Sequence, residues 1–278
     1  MERIKLNRLP LNYKLKNKYK IIKHVAESNF SNIYMVLYNN RKYIVKECFP
    51  VNIVIRDEDN KVFTEKYKSK FKMIKNDFRK ESELLRKFND ENIVELIDYF
   101  TENNTEYMLL EYCEGSSLKQ YILENELAEE EILGIFLKII KALKKIHGKN
   151  VIHRDLKPSN IIVDANNNIK IIDFGSGKNL SEENRGCLKW TPGYSPLEMY
   201  SQKAETDKRT DVYSLCALLY FMVNKSRPMD SLERFYNPEL MYKDYVSEKI
   251  RRVIEKGMNM ERKERYKNIE ELEKELTS

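Results

Sequence analysis

Apolar positions come in two rhythms along this chain. The first part alternates short β-branched and aromatic runs with polar turns: Tyr19-Lys20-Ile21-Ile22, the run 31–37 and Lys42-Tyr43-Ile44-Val45-Lys46, with Asn39-Asn40 between the last two. Such runs predict three strands in an antiparallel meander, a small sheet with one open face. Residues 71–88 then carry Phe71, Ile74, Phe78, Leu84, Leu85 and Phe88 as a stripe among charges, which predicts a helix. A further strand pair is expected at 96–100 and 106–110. Glu111 to Gly115 breaks the pattern before Ser116-Ser117-Leu118 opens a helix, and helical spacing dominates afterwards. It spans 129–147, where Ile132, Phe136, Ile139, Leu143 and Ile146 recur, and two amphipathic helices are predicted within 246–276. The expected class is therefore α+β, with a small sheet plus one helix followed by a larger, mostly helical part.

The remaining stretches qualify that picture. Residues 1–18 are basic, with Arg3, Lys5, Arg8, Lys14, Lys16 and Lys18 around Pro10, and predict an irregular arm that lies on the surface or is partly mobile. The apolar run 212–223 is too short to cross a bilayer and predicts a buried helix, so no membrane span is expected. Hydrophobic residues at 41% and charged residues at 34% describe a globular chain. The formal charge of +6 comes from interspersed signs, so no nucleic-acid tract is expected. Cys48, Cys113, Cys187 and Cys216 show no metal-ligand spacing and suit a reduced, cytoplasmic protein.

The chemistry concentrates in His153-Arg154-Asp155-Leu156-Lys157-Pro158-Ser159-Asn160 and in Asp173-Phe174-Gly175. Between them Ile161-Ile162-Val163-Asp164, the turn formers of 165–168 and Ile169-Lys170-Ile171-Ile172 predict a hairpin. Two carboxylates and an amide thereby converge at one end of paired strands. An amide oxygen and a carboxylate are hard ligands that Mg²⁺ accepts while it keeps waters and phosphate oxygens. A second carboxylate, unliganded, can take a proton from an incoming hydroxyl.

Both motifs and their spacing resemble the catalytic loop and metal-binding segment of eukaryotic-type protein kinases. The short segments Cys48-Phe49-Pro50, Glu102-Asn103-Asn104-Thr105 and Gly193-Tyr194-Ser195-Pro196-Leu197-Glu198 resemble a bacterial Ser/Thr subgroup. The resemblance implies a bilobal kinase fold: an arm at 1–18 and a kinase domain at 19–278. Within it the N-lobe covers about 19–111, the hinge about 112–115 and the C-lobe about 116–278. It implies transfer of the γ-phosphoryl of ATP to protein Ser/Thr hydroxyls with Mg²⁺, or Mn²⁺ in its place. Asp155 is the expected base, Lys157 the residue that neutralises the phosphoryl in flight, and Asn160 and Asp173 the metal ligands. Residue chemistry alone leaves Lys46 in water, as most lysines are; the resemblance sets it against the α- and β-phosphates. Counting back from Asn92-Ile93-Val94 selects Glu81 as its partner, with Glu83 about 200° around the helix. Val25, Ala26, Ser28, Phe30, Ser31 and Ile33 are expected over the nucleotide, and Ile44, Leu110, Glu111, Cys113 and Ile162 around its base. The segment from Gly175 to Glu198 resembles an activation segment, with Ser181 or Thr191 as a site of self-phosphorylation and Arg154 placed to grip the phosphate. Arg265 is expected to pair with Glu198, and Asp211 to anchor the catalytic loop.

One departure matters. Kinases carry three glycines where this chain has Ala26, Ser28 and Ser31. A Cβ narrows the approach to phosphate and disfavours positive φ, at a cost of order 1 kcal/mol in nucleotide binding. That keeps a nucleotide-binding pseudokinase open beside the active kinase, and the shared core keeps a small-molecule kinase open.

Overall fold

A computed structural model describes residues 7–181, 189–201 and 205–278. The chain divides into two compact units, the first formed by residues up to 89 with 94–112, the second by 90–93 with 113–278.

The first unit is a six-stranded antiparallel sheet with one long helix. Its strands are β1 (Lys14–Leu15), β2 (Tyr19–Glu27), β3 (Ser31–Tyr38), β4 (Arg41–Cys48), β7 (Leu96–Glu102) and β8 (Thr105–Glu111), in the order β1-β2-β3-β4-β8-β7. A small hairpin, β5 (Ile55–Arg56) and β6 (Val62–Phe63), precedes α1 (Lys68–Leu85). Asparagine makes the tight turns: Asn39-Asn40 and Asn103-Asn104 all sit at positive φ, between 48° and 60°. Asn tolerates that region better than other side chains, so the hairpins close without glycine. One sheet face buries Ile21, Tyr34, Val36, Val45, Tyr107 and Leu109.

The arm departs from expectation. Leu9 and Leu15 are fully buried in this same cluster, and β1 pairs with β2. The Leu9 amide donates to Tyr34 Oη at 3.1 Å, and Asn32 Nδ2 donates to the Asn7 carbonyl at 2.8 Å. Two leucines among lysines suffice, because the sheet face they cover is itself apolar and the polar backbone finds partners there. Arg3 and Lys5 lie outside the described residues. Helix α1 starts at Lys68 and ends at Leu85, three residues earlier at each end than predicted; of the stripe it buries Phe71, Phe78, Leu84 and Leu85, with Ile74 half-buried and Phe88 half-buried beyond its end.

The second unit is mostly helical. Its elements are β9 (Ser116–Ser117), α2 (Leu118–Glu124), α3 (Glu129–Gly148), β10 (Val151–Ile152), β11 (Ile161–Val163), β12 (Ile169–Ile171), β13 (Lys178–Asn179), α4 (Lys208–Asn224), α5 (Ser231–Arg234), α6 (Glu248–Gly257) and α7 (Ile269–Thr277). Every residue of α4 from Thr210 to Asn224 is buried, as an all-round apolar helix requires. Helix α3 buries Ile132, Phe136, Ile139, Leu143 and Ile146, while α6 and α7 bury single stripes. Among the described residues no helix is long and apolar enough to cross a membrane. Strands β11 and β12 pair antiparallel in the register Ile161 to Ile171. Asp164 closes their turn by accepting the amides of Asn166 and Asn168, each at 2.8 Å.

Candidate active site

In the first unit, strand register decides which residues share a face. Lys46 pairs with Ile33 on β3 and with Met108 on β8, and Ile44 pairs with Leu110. Directly opposed residues point the same way, so Ile33, Ile44, Lys46 and Leu110 share the face opposite the Tyr34 cluster. Lys46 Nζ donates to Glu81 Oε1 at 2.6 Å, and both side chains are largely shielded. Glu83, two positions on, is exposed. Helical geometry therefore separates two otherwise equivalent glutamates. Glu111 is drawn back along its own sheet, where its carboxylate accepts the Glu95 amide at 2.7 Å.

The loop 28–31 is closed by its own serine hydroxyls. None of Ala26, Ser28 and Ser31 sits at positive φ, so a Cβ meets no backbone penalty there. The Ser28 hydroxyl accepts the amides of Phe30 and Ser31 at 3.2 and 3.0 Å and lies 3.0 Å from Ser31 Oγ. This is a serine-stabilised turn. The backbone here takes a path any residue can follow, so no left-handed strain attaches to these three side chains. Val25 is 46% exposed.

In the second unit the loop that opens at His153 hangs from one buried carboxylate. Asp211, in the first turn of α4, accepts the His153 amide at 2.7 Å, the Arg154 amide at 2.8 Å and His147 Nε2 at 2.8 Å. Burial pushes its carboxyl upward, but the His147 bond and the Arg154 amide outweigh this and hold it below the usual carboxylate range. Arg154 adopts φ 62°, a left-handed conformation costly for a side chain of its size, and its Nε donates to the Ser176 carbonyl at 2.6 Å. His147, in the last turn of α3, is thus part of this anchorage. His153 is buried against the Phe174 ring, and burial holds its imidazole below the usual value, in the neutral form.

Asp155 sits at the centre. Its Oδ2 accepts Lys157 Nζ at 2.7 Å, and its Oδ1 accepts Thr191 Oγ1 at 2.7 Å. Lys157 Nζ also lies 3.2 Å from Thr191 Oγ1. Asn160 Nδ2 donates to the Asp155 carbonyl at 2.9 Å and to its Oδ2 at 3.2 Å, which leaves the amide oxygen as the end free for a cation. The Ile172 amide donates to the Asn160 carbonyl at 3.0 Å, so the strand leading into Asp173 runs beside Asn160. Asp173 Oδ1 accepts the Gly175 amide at 3.0 Å. Among the described residues no group of three or more His, Cys, Asp or Glu could hold a metal alone. One carboxylate with one amide oxygen fits Mg²⁺, which takes few protein ligands when phosphates and waters complete its shell. Cys113 and Ile162 are half-buried in this unit.

Beyond β13, Ser181 is exposed and its Oγ accepts Asn150 Nδ2 at 3.2 Å. The expected activation-segment residues 182–188, Cys187 among them, lie outside the described residues. Glu198 and Arg265 meet in a two-pronged ion pair, at 2.7 and 3.1 Å. Thr191, beside Asp155, is itself fixed by its amide donating to Ser195 Oγ at 2.9 Å.

Sequence reasoning missed a second buried carboxylate. Glu47 is fully buried one position after Lys46. It accepts Arg56 Nη2 through both oxygens at 2.7 Å, the hydroxyls of Tyr34 and Tyr107 at 2.7 Å and Asn32 Nδ2 at 3.0 Å. The one available signal was an acidic residue at an inward position of a strand, which demands a buried partner.

Comparisons with known proteins agree with this geometry. The family model described as "Protein kinase domain" matches residues 19–277. A "Probable serine/threonine-protein kinase" of Clostridium perfringens is 29% identical over 221 residues, 78% of this chain and 30% of that protein. "Aurora kinase A-A" of Xenopus laevis is 26% identical over 86% of this chain and 56% of its own length. The solved structure "PpkA-294 apo form" superposes with a TM-score of 0.83 at 26% identity, covering 97% of this chain and 99% of that one. The chain spans about a third of the length of the clostridial relative and little more than half of the frog one. With its α+β architecture, it belongs to the protein kinase domain family.

Proposed function

We propose that this chain is a Ser/Thr protein kinase domain that transfers the γ-phosphoryl of ATP to a protein hydroxyl with Mg²⁺, in a reducing, cytoplasmic setting. The observation that carries the reading is the state of Asp155, a carboxylate flanked by Lys157 and Thr191 with the Asn160 amide locked against it.

In this mechanism the substrate oxygen attacks the γ-phosphorus as the bond to the β–γ bridging oxygen breaks. The hydroxyl proton passes to Asp155, and ADP leaves with the bridging oxygen's electron pair. Lys157 neutralises the charge that gathers on the phosphoryl oxygens. Asn160 and Asp173 are the residues that would hold the metal, which supplies charge neutralisation at the β- and γ-phosphates. Lys46, oriented by Glu81, takes the α- and β-phosphates, and Ile33, Ile44 and Leu110 offer apolar contact to the base with Cys113 and Ile162. Thr191 beside Asp155 supports Ser/Thr rather than Tyr acceptors, and Ser181 and Thr191 remain the candidate sites of self-phosphorylation. Ser28 holds its turn through its own hydroxyl, so the missing glycines weigh little toward a pseudokinase.

The test is incubation with labelled ATP, Mg²⁺ and a generic basic protein, followed by phosphosite mapping. Wild type should label Ser or Thr, and Asp155→Asn should lose about three orders of magnitude or more in transfer while still binding nucleotide. Equal transfer by the variant would overturn the mechanism. Labelling of a metabolite and never of protein would overturn the substrate class.

A further inference from the structure

Pairing of the basic arm with the sheet sets up a row of cations. Lys14 on β1 stands opposite Lys20 on β2, Lys20 opposite Leu37 on β3, and Leu37 opposite Lys42 on β4. Directly opposed residues point to one face, so Lys14, Lys20, Leu37 and Lys42 form a line across the strands. Ile21 and Val36, one residue along, belong to the Tyr34 cluster, which places the line on the opposite face. Lys23 flanks it, opposite Met35. Lys14, Lys20, Lys23 and Lys42 are all exposed, and Leu37 is half-buried among them.

Nothing acidic answers these lysines. The registered positions of this face on β2, β3 and β4 hold no carboxylate. Among the described residues Lys14, Lys20, Lys23 and Lys42 have no carboxylate at ion-pair distance. Lys42 instead lies 5.6 Å from the centre of the Tyr112 ring. Like charges directly opposed across a strand pair destabilise it, and an external anion would relieve them.

Spacing selects the anion's shape. Neighbouring strands lie about 4.8 Å apart, which sets the row at about 0, 5, 10 and 14 Å. One face of an α-helix repeats at about 5.4 Å and offers a group near each of those positions. An extended segment offers one side chain per about 6.8 Å on a face, three groups for four positions. A nucleic-acid backbone would set charge over Leu37 as well, and its phosphates favour a longer basic path.

We infer that this row binds an acidic amphipathic helix of a partner protein lying across the strands. Carboxylates at i, i+4 and i+11 meet Lys14, Lys20 and Lys42, and an apolar side chain at i+7 covers Leu37. The flexible lysine stems absorb the remaining offset and the sheet twist. Binding is read on the full chain without nucleotide, so it stands apart from phosphoryl transfer.

The experiment is fluorescence anisotropy with a labelled helical peptide carrying Glu at i, i+4 and i+11 and Leu at i+7. The triple variant Lys14→Glu, Lys20→Glu, Lys42→Glu should weaken binding about tenfold or more, and raising salt from about 50 mM to about 0.3 M should weaken wild type similarly. Three reversals elsewhere, Lys119→Glu, Lys249→Glu and Arg252→Glu, should change it less than about twofold. A peptide of the same composition with those four residues spread around the helix should bind about fivefold weaker. Circular dichroism checks that the exposed substitutions leave the fold intact. No saturable binding to wild type, or binding unaffected by the triple reversal, would overturn the proposal. Equal loss in the control variant, equal binding of the respaced peptide, or equal competition by a single-stranded oligonucleotide or phosphatidylserine vesicles would also overturn it.

Discussion

Glu47 in the first unit and Asp211 in the second are both fully buried carboxylates, yet they serve opposite ends. Asp211 accepts two consecutive backbone amides and an imidazole. It holds a loop in a conformation that Arg154, at φ 62°, would not adopt unaided. Glu47 accepts four side chains only, from three separate segments, and is neutralised by an arginine brought from an insertion. The first carboxylate shapes backbone beside the chemistry. The second fastens covering elements, arm and hairpin, onto a sheet. A buried charge thus tells less by its depth than by the kind of donor that satisfies it.

That contrast can be broken at its strongest point. Glu47→Ala leaves the Arg56 guanidinium buried without its anion, and should cost about 3–5 kcal/mol in urea unfolding. The paired change Glu47→Met with Arg56→Met should recover most of it, because an apolar pair replaces the ions. Failure of the pair to recover would mean that the tyrosine hydroxyls, not the ion pair, dominate.

Asp211→Asn should cost about 2–3 kcal/mol, because an amide cannot accept from both loop amides and His147 with equal strength. It should also alter the acid limb of stability. The Asp211 carboxyl ionises below its unfolded-chain value, so its contribution is complete above about pH 4 and is lost as pH falls through the folded value. A pH series of unfolding curves should lose that dependence in the variant. Phosphoryl transfer should fall with it, whereas Glu47 variants that stay folded should keep their turnover.

The smallest effect sharpens the Glu47 side. Tyr34→Phe removes one donor to Glu47 and the acceptor of the Leu9 amide, and should cost about 1–2 kcal/mol. Amide exchange should quicken at Leu9 more than at Arg154. Equal exchange at both would deny that the two carboxylates act on separate regions.

How much of this was legible varied with the distance over which the cause acts. The hairpin β11–β12, the stripe of α3 and the buried α4 follow from residue spacing, because a strand or helix face is set within a few neighbours. The proposed metal-binding and base residues stand in short motifs, and counting back from Asn92-Ile93-Val94 by resemblance preferred Glu81, with helical phase setting Glu83 on another face. The pairs Lys46–Glu81 and Glu198–Arg265 were anticipated through resemblance and stand at ion-pair distance. The arm was misread, since nothing local says that Leu9 and Leu15 meet an open apolar sheet face.

The sequence by itself determined element types, hairpin turns and the order of the chemical groups, all governed by dihedral preference and hydrophobic period. Tertiary structure alone decided that Glu47 would find Arg56 and that lysines of α1 and Phe63 would line one groove. Those outcomes depend on contacts between segments far apart in the chain, whose free energies appear only once both sides are in place.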